Sequence, residues 1–149
     1  MKNIFKSALI AIMSVVFAGS FSGCHEADPE FVHTDNLITA LYMATSLQGT
    51  QYSFTIDEYN AEGQLVTENV TAESVAGGYG IAHIEFPVSQ MEEIDFTKVY
   101  LAANVTYDVI IKPGLTGTHD ISGEGIVVTA TGGDGKARKY RIYGNFSSN

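Results

Sequence analysis

Tryptophan is missing from this chain of 149 residues, cysteine occurs once, proline three times, and lysine and arginine together eight times. Each shortage excludes something. One cysteine cannot close an intramolecular disulfide, nor can it complete a cysteine-based zinc site. Without tryptophan and a second cysteine, the Cys…Trp…Cys signature of antibody-type domains is absent. Eight basic residues against 17 acidic ones give a net charge of −9, which repels phosphate backbones and argues against nucleic-acid binding. Signature motifs are missing too. No HExxH pair, EF-hand loop, phosphate-binding Lys-Ser/Thr after a glycine loop, or Gly-x-Ser-x-Gly elbow occurs. These absences imply no cofactor and no metal. They leave no catalytic residue to nominate, and the chain reads as a non-enzyme.

What is present starts at the first residues. Lys2 and Lys6 precede an apolar run within Ser7–Ala18, and small residues follow at Gly19, Ser20, Ser22 and Gly23. A basic start, an apolar run and small residues make a secretory signal peptide. The run is about a dozen residues, whereas a spanning helix needs roughly 20.

Phe21-Ser22-Gly23-Cys24 resembles the lipobox of bacterial lipoproteins, with Phe21 where leucine is usual. The resemblance implies cleavage before Cys24 and lipidation of its sulfur. Each buried CH₂ of an acyl chain contributes roughly 0.8 kcal/mol, so two or three chains on one residue hold firmly. The implied address is the outer membrane, lipid-anchored and surface-exposed, with the periplasmic face as the alternative. Glu26, Asp28 and Glu30 loosely resemble an acidic surface-routing patch.

These readings divide the chain into a leader (1–23), a lipidated cysteine with an acidic tether (24–36) and one domain (37–149). Removing the leader takes Lys2 and Lys6 with it, leaving 6 basic and 17 acidic residues. A chain of this length buries roughly two thirds of its unfolded surface and needs no disulfide or metal to fold.

The domain alternates with period 2, the mark of half-buried strands. Leu37, Leu41, Met43 and Leu47 share one parity with Thr39 and Thr45. Tyr52, Phe54 and Ile56 share another. Ala82, Ile84, Phe86 and Val88 alternate with Ile81, His83 and Glu85. Val99, Leu101, Ala103 and Val105 continue the pattern, as do Tyr107, Val109 and Ile111. Ile126, Val128 and Ala130 precede Gly132-Gly133-Asp134-Gly135-Lys136, the strongest hairpin signal in the chain. In the last strand Tyr140, Ile142 and Phe146 oppose Lys139, Arg141 and Tyr143. Pro87 belongs at a strand end, and Ser89–Thr97 at a loop or helical turn over the core. The expected fold is all-β: an immunoglobulin-like sandwich of about seven or eight antiparallel strands, with a small β-barrel as the alternative.

Ile81 to Val88, Asp95 to Val99, Pro113-Gly114, Val127 to Ala130 and Arg138 to Ile142 occur in an order that resembles a known family. It is the uncharacterised immunoglobulin-like β-sandwich domain of surface lipoproteins from Gram-negative gut anaerobes. The resemblance spans about 37–146. It implies a fold and an address, and it carries no catalytic residues.

Candidate chemistry is sparse. His25, His33, His83 and His119 lack metal-ligand spacing. Asp57 with Glu58, and Glu92 and Glu93 with Asp95, are carboxylate pairs of the kind glycosidases use, yet such pairs arise by composition in an acidic domain. Asp120 and Asp134 are calcium candidates without a calcium loop. Among the 8 tyrosines, Tyr59, Tyr79, Tyr100 and Tyr143 point outward by parity, where aromatic faces contact sugars or partner surfaces. The expected function is a non-catalytic binding or assembly module, accessory to glycan uptake. Its partners would be the membrane through Cys24 and a glycan or protein ligand. The alternatives are a structural adhesin or pilus-associated subunit, and a small glycosidase.

Overall fold

The computed structural model describes residues 33–147. Cys24, the leader and tether residues 24–32 lie outside the described residues. Ten strands follow in order: β1 (Ile38–Ala44), β2 (Tyr52–Ser53), β3 (Thr55–Tyr59), β4 (Leu65–Val66), β5 (Tyr79–Pro87), β6 (Val99–Val105), β7 (Ile110–Lys112), β8 (Thr118–His119), β9 (Ile126–Thr131) and β10 (Ala137–Ser147). They form a four-stranded sheet in the order β2-β1-β6-β8 and a six-stranded sheet in the order β4-β3-β5-β10-β9-β7. The two sheets make the expected β-sandwich, and it is not a closed barrel. Three strands are two residues long, which leaves seven longer ones. No described helix is long and apolar enough to cross a membrane.

Alternation builds the core. In β5 the even residues Gly80 to Phe86 are buried, and in β10 the even residues Arg138 to Gly144 are buried. From the other sheet, Leu41, Met43, Val99 and Leu101 meet them. Each fully buried aliphatic side chain contributes about 1.5–3 kcal/mol of transfer free energy. Ile94 and Phe96 close one end of the core from the 88–98 loop, as expected for that segment. Pro87 is the last residue of β5. The hairpin at 132–136 closes with the Gly132 amide donating to the Lys136 carbonyl at 3.0 Å and with Gly135 at φ 79°.

Several details depart from the pattern. The strands are not all antiparallel: β5 and β10 pair in parallel over Tyr79–Pro87 and Lys139–Ser147. A parallel pair needs a long crossover, and the chain supplies one by visiting the four-stranded sheet between β5 and β10. Parity cannot reveal this, because alternation is the same in both directions. In β1 the register shifts between Ile38 and Ala40, so Ile38 and Leu41 are both buried while Thr39 is exposed. Leu47, Val88 and Tyr107 continue their runs by parity but lie beyond the strand ends and are exposed. Between β7 and β9 lies the short β8, and the Ile121 that follows it is fully buried.

Candidate functional site

A buried polar cluster braces one end of the six-stranded sheet. Glu58 lies on the inner side of β3, only 6% exposed, and Arg138 near the start of β10 is 3% exposed. Arg138 Nε donates to Glu58 Oε2 at 2.8 Å, and a second guanidinium nitrogen reaches the same oxygen. Tyr140 donates its hydroxyl proton to Glu58 Oε1 at 2.7 Å and accepts the Ile38 amide at 3.1 Å. Arg138 also donates to the carbonyls of Val75, Tyr59 and Tyr79. Burial pushes the Glu58 carboxyl above its ordinary range, against the opposing pull of the Tyr140 hydroxyl and then Arg138. Burial and the adjacent Glu58 charge raise the Tyr140 phenol. Gly80 sits opposite Tyr140 in register, and a Cβ there would fall 2.2 Å from the tyrosine ring. Both carboxylate oxygens are engaged, so the cluster fastens β3, β5, β10 and the Val75 segment together.

The other side of the same strands faces solvent. Tyr59 on β3 lies opposite Tyr79 on β5, and the rings stack with centroids 4.9 Å apart and planes 12° apart. His83 lies opposite Tyr143 on β10, stacked at 6.0 Å. The Arg141 guanidinium lies 5.4 Å from the Tyr143 ring centre and also bonds Glu124. His83 Nδ1 approaches Asp57 Oδ2 at 3.6 Å. Positions 79 and 83 are four residues apart on β5, so the two aromatic pairs are separated by about 13 Å along the strand. Exposed Leu65 lies opposite Tyr59, and exposed Val127 lies opposite Arg141. The result is a ridged face of aromatic edges and hydroxyls with two cations on β10, Arg141 and the exposed Lys139 opposite Tyr79, and with apolar margins.

This face gathers three of the four tyrosines expected to point outward: Tyr59, Tyr79 and Tyr143. Tyr100 lies on β6, on the other sheet. The Asp57–Glu58 pair does not converge. Neighbouring strand residues point to opposite faces, and Asp57 lies toward solvent while Glu58 enters the core. Glu92 and Glu93 are exposed, and Asp95 accepts from the Thr97 hydroxyl and amide, which lowers its pKa. Asp120 does the same with Ser122. Asp134 accepts the Lys136 amide and pairs with its ammonium at 2.9 Å. These aspartates are therefore turn-forming groups. No cluster of three potential metal ligands exists among the described residues. The His33 ring lies 5.7 Å from that of Tyr107, and His119 Nε2 is buried without a hydrogen-bond partner among the described residues.

Sequence reasoning missed the Glu58–Arg138–Tyr140 cluster. The signal existed: Arg138 shares the inward parity of Tyr140 and Ile142, and Glu58 that of Phe54 and Ile56. Charges on inward positions need buried partners.

No protein-family model and no curated protein matches this chain. A solved structure of a candidate secreted protein from Bacteroides fragilis is similar, with a TM-score of 0.41 and 12% identity. The match covers 77% of this chain and 98% of that one. A likeness of this degree transfers neither fold nor function between the two.

Proposed function

We propose that this protein is a non-catalytic binding module, held on the outer membrane by a lipidated Cys24 and accessory to glycan uptake. Its recognition surface is the outer face of the six-stranded sheet. The observation that carries this reading is the placement of two aromatic pairs and Arg141 on one exposed sheet face. Aromatic edges and hydroxyls spread over about 13 Å suit an extended ligand better than a small one.

Two further features support a binding role. The buried carboxyl of Glu58 and the phenol of Tyr140 are saturated by internal partners, which makes them poor acid–base groups. The outermost strands β2, β4, β7 and β8 are two or three residues long. Short edges are poor templates for strand addition, which weighs against a polymerising adhesin.

The test is a glycan array probed with the protein and with Tyr79→Ala. Binding of extended glycans by the parent that Tyr79→Ala weakens would support the reading. Extended-glycan binding that Tyr79→Ala leaves undiminished would move the site elsewhere, and silence across neutral and charged polysaccharides would favour a protein ligand. For the anchor, Cys24→Ser should release the chain from membranes, and continued partitioning with them would refute lipidation. Protease treatment of intact cells separates the surface from the periplasmic face.

A further inference from the structure

The outer face of the four-stranded sheet carries a second, different arrangement of tyrosines. Tyr42 on β1 lies opposite Ala102 on β6, and Tyr100 on β6 lies opposite Ala44 on β1. Each tyrosine therefore faces a methyl group across the strand pair. Among the described residues neither ring takes part in an aromatic pair, in contrast to Tyr59 with Tyr79. The space that larger cross-strand partners would fill is left as a cavity of about 310 Å³. Tyr42, Ala44, Tyr100 and Ala102 line it from the two strands. Ser46, Leu47 and Gln51 come from the β1–β2 connection, and Leu115 and Thr116 from the loop after β7. Leu47 stands at the lip with 81% of its surface exposed.

The chemistry of this lining is selective. Among the described residues no Asp, Glu, Lys, Arg or His contributes to it, in a chain that carries 17 acids and 8 bases. A charged ligand would leave water there without a counter-charge. A purely apolar ligand would bury the Gln51 amide and the Ser46 and Thr116 hydroxyls without partners. Among the described residues, no side-chain hydrogen bond engages Tyr42, Gln51, Tyr100 or Thr116. The volume lies at the small end of the range for ligand pockets, roughly 300–1,000 Å³.

We propose that this cavity binds one uncharged, hydroxylated ring, a neutral pyranose unit. Its C–H face rests on the tyrosine rings, and its hydroxyls bond Gln51, Ser46 and Thr116. The site is separate from the aromatic face on the six-stranded sheet, so the chain would hold a sugar at one surface independently of its partner at the other.

An NMR titration of the ¹⁵N-labelled full-length protein tests this, with the methyl glycosides of glucose, galactose and mannose as probes. Glucuronate and glucosamine serve as charged counterparts. At least one neutral glycoside should give saturable shifts at Gln51, Tyr100 and Thr116, and the charged sugars should bind more weakly. Tyr100→Ala should weaken binding about tenfold, the equivalent of about 1.4 kcal/mol. Ala102→Leu fills the cavity from an exposed position and should abolish the shifts without lowering the melting temperature, which covers the case in which Tyr100→Ala fails to fold. Tyr79→Ala should leave the titration unchanged, even if it destroys ligand binding on the other sheet. The proposal is overturned if no neutral glycoside shifts these residues, if the charged sugars bind as tightly, or if Ala102→Leu binds like the parent.

Discussion

The two sheets treat tyrosine in opposite ways. On the six-stranded sheet, Tyr59 and Tyr79 sit directly across from one another and cover each other's faces. On the four-stranded sheet, Tyr42 and Tyr100 each face an alanine, and the uncovered rings border a cavity. The same residue type thus builds a ridge in one place and a recess in the other, and the cross-strand neighbour decides which. The difference continues beneath the surface. The six-stranded sheet is tied at one end by the buried Glu58–Arg138–Tyr140 cluster. In the four-stranded sheet, the inward positions of β1 and β6 are filled by apolar side chains such as Met43 and Leu101.

The sharpest way to break this contrast is to remove a charge from each side of β10. Arg138→Met leaves the Glu58 carboxyl buried and unpaired, and should cost about 3–5 kcal/mol in urea unfolding. Arg141→Met removes an exposed pair with Glu124 and should cost less than about 1 kcal/mol. Equal losses would show that the buried cluster does not brace the sheet. The next effect is steric. Gly80→Ala drives a methyl group into the Tyr140 ring and should cost about 1–3 kcal/mol, whereas Ala102→Val on the exposed face should fall within about 0.5 kcal/mol of the parent. A smaller effect separates the tyrosine pairs. A double-mutant cycle on Tyr59 and Tyr79 should give a coupling of about 0.5–1.5 kcal/mol, and the same cycle on Tyr42 and Tyr100 should give almost none.

The smallest effect belongs to the turns. Hydrogen bonds from the Ser122 hydroxyl and amide lower the Asp120 pKa, so folding favours the ionised form. That contribution is complete above about pH 4, the unfolded carboxylate value, and is lost as pH falls through the lower folded value. Asp120→Ala should therefore melt below the parent at pH 7, with the gap closing as thermal melts are taken toward pH 2. A gap that persists in acid would mean that the aspartate acts through something other than its charge.

Much of the sandwich was legible because a half-buried strand writes its two faces into alternate residues. Ala82, Ile84 and Phe86 followed that rule, as did Val128, Ala130, Tyr140 and Ile142. The rule failed where the backbone changed phase or stopped. The bulge at Thr39 moved Ile38 inward, and the ends of β1 and β6 left Leu47 and Tyr107 in solvent. Outward parity placed Tyr59, Tyr79 and Tyr143 correctly on strands. It could not say that three of the tyrosines share a face while Tyr100 lies across the sandwich, since that depends on which strands pair. The cavity was illegible for the same reason: Ala44 and Ala102 acquire meaning only when register sets them opposite Tyr100 and Tyr42.

The position of β10 has a consequence for how this protein is made. It is the last of the described strands, yet it lies between β5 and β9 in the interior of the six-stranded sheet. During synthesis, β3, β4 and β5 are the first strands of this sheet to emerge, with the Glu58 carboxyl waiting for an Arg138 that is 80 residues further on. Until that segment arrives, β5 has one edge bare and the core lacks Tyr140 and Ile142. Pairing across such a sequence separation is slow to form. The nascent domain therefore cannot close early, and a chain stopped before Ala137 should be a ready substrate for proteases.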